Sequence, residues 1–235
     1  MKARAAFPLL LGILAVFGST QVKAQTVVLD EGTFKLRLGG QEVGTETFNI
    51  RQNGSGETAV VIAVGKVVID TARGAQEINA QLSMKGPALQ TSAYQVNVEG
   101  ANPLKISGLV VGSRFSSRIM SGAGEQMREY MASDGAVVTD DGMAHHYYFL
   151  AQRVGTGSGR VPVLVPRQSR QFTATVSAQG NEMVTVGGSS VQGRHLVVST
   201  PGGPERHVWV DENGRVLRYE VPAQKFSAER QAAPK

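Results

Sequence analysis

Apolar residues recur at every second position through most of this chain, a period that forces β-strand with one face buried and the other wet. One stretch, residues 140–154, breaks the rule. Met143, Tyr147, Leu150 and Val154 fall three and four residues apart, Ala144, Tyr148 and Ala151 make a second stripe beside them, and Phe149 lies near the far side. A helix apolar over most of its circumference is a buried helix. Asp141 is expected to cap it, Asp140 adds negative charge at the positive end of its dipole, Arg153 suits its last turn and Gly155 can stop it. At 1.5 Å per residue such a helix is roughly 20 Å long, enough to lie across several strands. The expected fold is mainly β: a single antiparallel sheet, an open half-barrel, wrapped around one buried helix from Asp141 to Arg153.

The strands follow from the alternation. Phe34, Leu36 and Leu38 share a face, Gly39 and Gly40 turn the chain, and residues 43–51 return as the second arm of a hairpin. Residues 58–69 are a β-branched run; Ile78, Ala80, Leu82 and Met84 alternate with polar neighbours up to Gly86 and Pro87, and Tyr94, Val96 and Val98 do the same. Further strands are expected at 104–111, 114–120 and 125–132, the last also compatible with helix on propensity. After the helix come 160–165, 171–177, 183–186, 190–199 and a closing hairpin stopped by Pro222. In that hairpin a two-residue loop at Asn213 and Gly214 would pair Trp209 with Arg218. A three-residue loop with Gly214 left-handed would pair Trp209 with Leu217 and His207 with Tyr219. One slip moves every side chain to the other face. The order of Asp, Asn and Gly favours the second form, so Trp209 is expected to face the core. Residues past Ser227 are expected to fray, with a flexible tail over 229–235.

Residues 1–24 have the layout of an export signal: Lys2 and Arg4, an apolar run over 7–18 too short to span a membrane comfortably, and a small-residue cleavage site at Ala24. The mature chain is expected to start at Gln25, to be periplasmic or secreted from a bacterium, to form one domain over 25–228, and to span no membrane. Cysteine is absent, which excludes a lipobox, disulfides and thiolate metal sites. The leader holds three of the 24 Lys and Arg and no acid, so a net charge of +5 becomes +2 without it. So small a balance gives no reason to expect a nucleic acid partner. Aromatic residues are 6% of the chain, too few for the two girdles of an outer-membrane barrel.

Chemistry-bearing residues gather at the start of the helix. Asp140, Asp141, His145 and His146 are ordinary metal ligands, but adjacent histidines point about 100° apart on a helix and chelate one ion poorly. A metal-dependent hydrolase using this cluster is therefore the least favoured reading, and no metal or cofactor is expected. No Gly-x-Ser-x-Gly elbow is present, and the glycine run over 155–159 follows a helix, the wrong end of the dipole for an anion. His145, His146, Tyr147, Tyr148, Trp209 and Arg218 are the candidate lining of a groove between sheet and helix, since aromatics with a polar tip suit a mostly apolar ligand.

Three stretches carry a family resemblance: Gly40-Gln-Glu-Val-Gly44-Thr-Glu46; Asp140-Asp-Gly-Met-Ala-His145-His-Tyr147; and Val208-Trp-Val-Asp211 with Gly214-Arg-Val-Leu-Arg-Tyr-Glu-Val-Pro222. With these the chain resembles an uncharacterised group of exported bacterial proteins, domains of unknown function akin to the lipoprotein-carrier half-barrels. The resemblance implies a sheet folded round a helix, with an apolar groove in the relatives that carry lipoproteins, and it implies no activity. The leading functional expectation for the chain is non-enzymatic binding or carriage of a hydrophobic molecule, lipids included, in the groove between sheet and helix. The alternative is an envelope scaffold that binds another protein through a sheet edge or exposed face.

Overall fold

In a computed structural model, which describes residues 26–72 and 74–235, the alternation becomes one sheet, of 15 strands among the described residues. Eight of them form a meander: β1 (Thr26–Leu38), β2 (Gln41–Asn53), β3 (Val60–Thr71), β4 (Gly74–Lys85), β5 (Gln90–Gly100), β6 (Leu104–Val111), β7 (Arg114–Ser121) and β8 (Gly124–Met131). A crossover then carries the two-residue β9 (Val137–Val138), a 3₁₀ turn (Ala144–His146) and the α-helix α1 (Tyr147–Val154). The chain meanders back through β10 (Gly159–Val165), β11 (Arg170–Val186), β12 (Ser189–Ser199), β13 (Arg206–Val210), β14 (Val216–Val221) and β15 (Phe226–Arg230). Across the sheet the order runs from β8 to β1 and then from β15 to β9, so β1 pairs with β15 in the middle and β8 and β9 are the edges. β9 pairs with β10 in parallel, the one departure from an antiparallel sheet among the described residues.

The architecture explains why the helix is where it is. Hairpins connect neighbours, but the passage from one edge to the other must cross the sheet's inner face, and residues 132–158 make that passage. Its side chains Val137, Val138, Met143, Tyr147, Phe149 and Leu150 are buried in one core with the inward residues of both meanders, among them Phe34, Leu36, Ile50, Leu82, Tyr94 and Tyr219. Full burial of an apolar side chain is worth about 1.5–3 kcal/mol, and this crossover supplies several. Residues 125–131, which could also have been helical, are strand because β7 pairs with them along their length.

Four expectations need correcting. The helix starts at Tyr147 after a 3₁₀ turn, and Asp141 does not cap it. The tail is not free from Ser227 onward: β15 pairs with both β1 and β14, and the Arg230 guanidinium bonds both Asp30 oxygens at 2.7 and 3.0 Å. Trp209 pairs with Arg218 and not with Leu217, because the loop spans Asp211 to Arg215 and a bulge follows Trp209. Val208 and Val210 therefore face the main core while Trp209 faces outward. The expected leader lies outside the described residues.

The outward Trp209 is not alone. Ala174 and Val176 on β11 face the core, but a register shift between Ala178 and Gly180 turns Val184 and Val186 to the opposite face. There they pack with Trp209 and Leu217 in a second, smaller cluster. One extra residue inverts a strand's faces, so a single sheet acquires two cores.

Candidate functional site

The three stretches that carried the resemblance meet at the start of α1. Glu46 on β2 reaches the helix from 98 residues away: its carboxylate accepts from the Ala144 N–H at 2.8 Å and the His145 N–H at 3.1 Å. The same carboxylate takes His145 Nδ1 at 2.5 Å. A buried carboxylate on the first free N–H groups does what an N-cap does, here from a strand. Two glycines make the approach possible. A Cβ on Gly44 would stand 1.9 Å from the Val68 carbonyl, and one on Gly65 would stand 2.3 Å from His145 Cε1. At the other end of the site Tyr147 stacks on Tyr219 from β14, centroids 4.6 Å apart.

His146 lies between His145, bonded through Nδ1 alone, and Tyr94, and is itself unsatisfied. Its ring sits 4.4 Å from that of His145 and meets Tyr94 edge-on at 5.9 Å, yet neither of its nitrogens has a hydrogen-bond partner. Burial, then the neighbouring His145 and Arg167, hold its pKa well below the ordinary imidazole value. Beyond it the Tyr94 hydroxyl donates to Asp140 at 2.5 Å, and Arg167 Nε donates to the other Asp140 oxygen at 2.5 Å. Burial raises the Asp140 pKa, with Arg167 opposing. Asp141 turns outward to Gln168 and Arg206. Of the four residues weighed as metal ligands, Asp140, Asp141 and His145 are thus committed to different partners, and His146 is sealed in the core with none. Among the described residues no group of three or more His, Asp or Glu is arranged to hold a metal ion.

His145 is 1% and His146 0% exposed. They converge, as a hydrolase would need, but a substrate has no route to them. The space between helix and sheet is likewise full: the gap lined by Tyr147, Leu150, Val163, Phe172 and Val198 measures about 10 Å³, room for at most one water. Tyr148 packs edge-on against Phe149, and burial lifts its hydroxyl pKa to about 12. Trp209 and Arg218, the remaining residues expected in the groove, lie on the outer face of the sheet with the Arg218 guanidinium 5.4 Å from the Trp209 ring centre. The six candidates do not share one groove.

Openness lies elsewhere. A cleft of about 680 Å³ beside the irregularity in β1 is lined by Val28, Leu29, Asp30, Phe48, Arg51 and Arg215, among others. The wing formed by β6 to β8 exposes Leu109 by 60%, Val111 by 73% and Met127 by 64%, and β8 ends the sheet. Neither could be found from single positions, because apolar residues in the wing alternate with polar ones as they do in the rest of the sheet.

No protein-family model matches the sequence, and no curated protein matches it. The fold is similar to that of a beta-barrel-like protein of a domain of unknown function, DUF1849, from Brucella abortus. The TM-score is 0.50 at 12% identity, covering 88% of this chain and 98% of that one. A DUF1089 family protein from Pseudomonas aeruginosa gives a TM-score of 0.43 at 13% identity over 91% of this chain and 97% of that one. The expected kinship with barrel-like domains of unknown function holds as a likeness of fold.

Proposed function

We propose that the protein is a non-enzymatic binding domain of the bacterial envelope, one that takes an extended segment of another polypeptide along β8. The bare edge of that strand carries the reading. Ser121 and Gly124 flank a two-residue turn, so they exchange both ladder hydrogen bonds, and alternation turns the peptide groups of Glu125, Met127, Glu129 and Met131 away from β7. Gln171 already treats the last of these as a strand would: its side chain accepts from the Met131 N–H at 3.0 Å and donates to the Met131 carbonyl at 2.7 Å. The peptides of Glu125, Met127 and Glu129 have no backbone partner among the described residues. Main-chain pairing on such an edge supplies affinity, and exposed Met and Leu side chains beside it adapt to a partner's apolar residues. Envelope location rests on the leader alone.

Peptides selected against the purified protein and followed by amide hydrogen exchange test this. A binder should protect the amides of Glu125, Met127 and Glu129. Met127→Pro, whose lost N–H points away from β7, should abolish binding while the fold survives. Binding with unchanged exchange along β8 would exclude the reading.

The open cleft favours a second reading, in which a small amphiphile lies on Val28, Leu29 and Phe48 with an acidic head at Arg51 and Arg215. Its size is within the roughly 300–1,000 Å³ of small-molecule sites. Native mass spectrometry of protein purified without detergent checks it, and a bare mass unchanged by added lipid would dismiss it.

A further inference from the structure

The outer face of β11 to β13 carries a second Glu, His, His group that the binding reading does not use. Glu182 Oε1 lies 2.9 Å from His195 Nδ1, and His195 Nε2 lies 2.9 Å from His207 Nδ1. The other Glu182 oxygen accepts from Trp209 Nε1 at 3.0 Å. Trp209 lies flat on the His195 ring, centroids 4.5 Å apart and planes within 8°. Carboxylate, both imidazoles and indole are thus held by one another across three strands.

We propose that His195 and His207 bind a late first-row divalent metal ion, copper(II) above all, with Glu182 as the carboxylate that orients His195. A ligating histidine ordinarily donates its other N–H to a carboxylate, which fixes the tautomer and makes the ligating nitrogen more basic. Glu182 does this for His195 and leaves Nε2 as the donor atom. That nitrogen stands 2.9 Å from His207 Nδ1. Neighbouring ligands of a square-planar centre with bonds of about 2.0 Å lie about 2.8 Å apart, and that geometry with nitrogen ligands belongs to copper(II) or nickel(II). The two rings now face each other head-on across a shared proton. To admit the ion they tip until both lone pairs converge on it, and the His207 proton moves from Nδ1 to Nε2, so no net proton is released. Solvent fills the remaining positions. The Arg218 charge nearby is met by Glu220, with which it forms an ion pair.

Two features of the chain make this testable without ambiguity. It has four histidines and one tryptophan; His145 and His146 are sealed in the core, and the tryptophan stacks on the proposed ligand. Copper(II) added to the purified protein at neutral pH should quench tryptophan emission with saturation at one equivalent, reversibly with a chelator. Zinc(II), which does not quench, should compete. His207→Ala and His195→Ala should each lose saturable quenching, and Glu182→Gln should weaken binding about 10–100-fold, the usual cost of a lost orienting partner. Electron paramagnetic resonance of the copper complex of the unaltered protein should show coupling to two imidazole nitrogens. Absence of saturable quenching at large excess, quenching that persists when both histidines are alanine, or a spectrum without imidazole nitrogen coupling would each overturn the site.

Discussion

A glutamate and two histidines meet twice in this molecule, on opposite faces of the sheet. Inside, Glu46 meets His145 at 2.5 Å and His146 stands beside it; outside, Glu182 meets His195 at 2.9 Å and His207 follows. Inside, the carboxylate is spent on two backbone N–H groups as well as the imidazole, and the second histidine has no hydrogen-bond partner. Outside, Glu182 accepts from His195 Nδ1 and His195 Nε2 in turn accepts from His207 Nδ1, which leaves His207 Nε2 as a lone pair. Burial makes the difference. A glutamate shut away from water must be fully bonded and so becomes a structural clamp, whereas one at the surface can orient a histidine without the fold depending on it.

The strongest way to break this contrast is to remove the inner carboxylate. Glu46→Ala strips the helix of its cap and leaves two N–H groups and an imidazole unpaired in the core, for a loss of about 3–5 kcal/mol in urea unfolding. Glu46→Gln keeps one acceptor oxygen and should lose less. If the alanine variant unfolds like the parent, Glu46 is not the clamp. Next in size is Gly65→Ala. Its Cβ would meet the His145 ring, an overpacking worth about 1–3 kcal/mol. Part of that loss should return when His145→Ala is added, because the two sites share one contact and their effects should not sum.

Much of this junction was legible in the sequence, and the illegible part has a common cause. Alternation revealed the hairpins and the apolar stripes revealed the buried helix, because both are local periods. The cap was misread because Asp141 has the right chemistry at the right local distance, while the residue that caps lies on β2 and is found only once the sheet closes around α1. Asp140 and Asp141 were already committed to Arg167, Gln168 and Arg206. Trp209 was misplaced because the bulge after it is set by the Asp211 carboxylate, which bonds the Asn213 and Arg215 N–H groups. β15 looked like a tail because Ser227, Glu229 and Arg230 are polar. What orders it is Asp30, 200 residues earlier. The candidate groove failed for the same reason, since two of its six residues, Trp209 and Arg218, pair beside that bulge and face outward.

A smaller effect, opposite in sign, tests the unsatisfied histidine. His146→Leu removes two unpartnered nitrogens from the core and should stabilise the fold by about 1 kcal/mol. It should also change the pH dependence. His146 has a folded pKa below its unfolded one, so the unfolded chain takes up a proton that the folded chain refuses. The parent therefore keeps its full stability above about pH 6.5 and loses up to about 1.4 kcal/mol per pH unit as the pH falls from there toward the folded value. Below pH 6.5 the stability gap between parent and His146→Leu should widen; a constant gap in urea titrations across that range would mean that His146 is hydrated or bonded.

The smallest expected effect is the most telling for the comparison. Glu182 has a half-exposed side chain, and water replaces what its removal takes away, so Glu182→Ala should leave the urea midpoint where it was. The bonds it makes to Trp209 and His195 hold its pKa below the ordinary carboxylate value, which means they favour the charged form over the neutral one. Freed of that oxygen, His195 loses the acceptor that favours Nδ1–H and keeps only its bond to His207, so the fraction of molecules presenting Nε2 as a lone pair should fall. The His195 ring nitrogens, followed by nitrogen NMR, would then shift toward a mixture of tautomers while the unfolding curve stays still. An unfolding midpoint that fell as far as it does for Glu46→Ala would erase the distinction between the two faces. A tautomer that did not move would show that Trp209 and His207 fix His195 without the carboxylate.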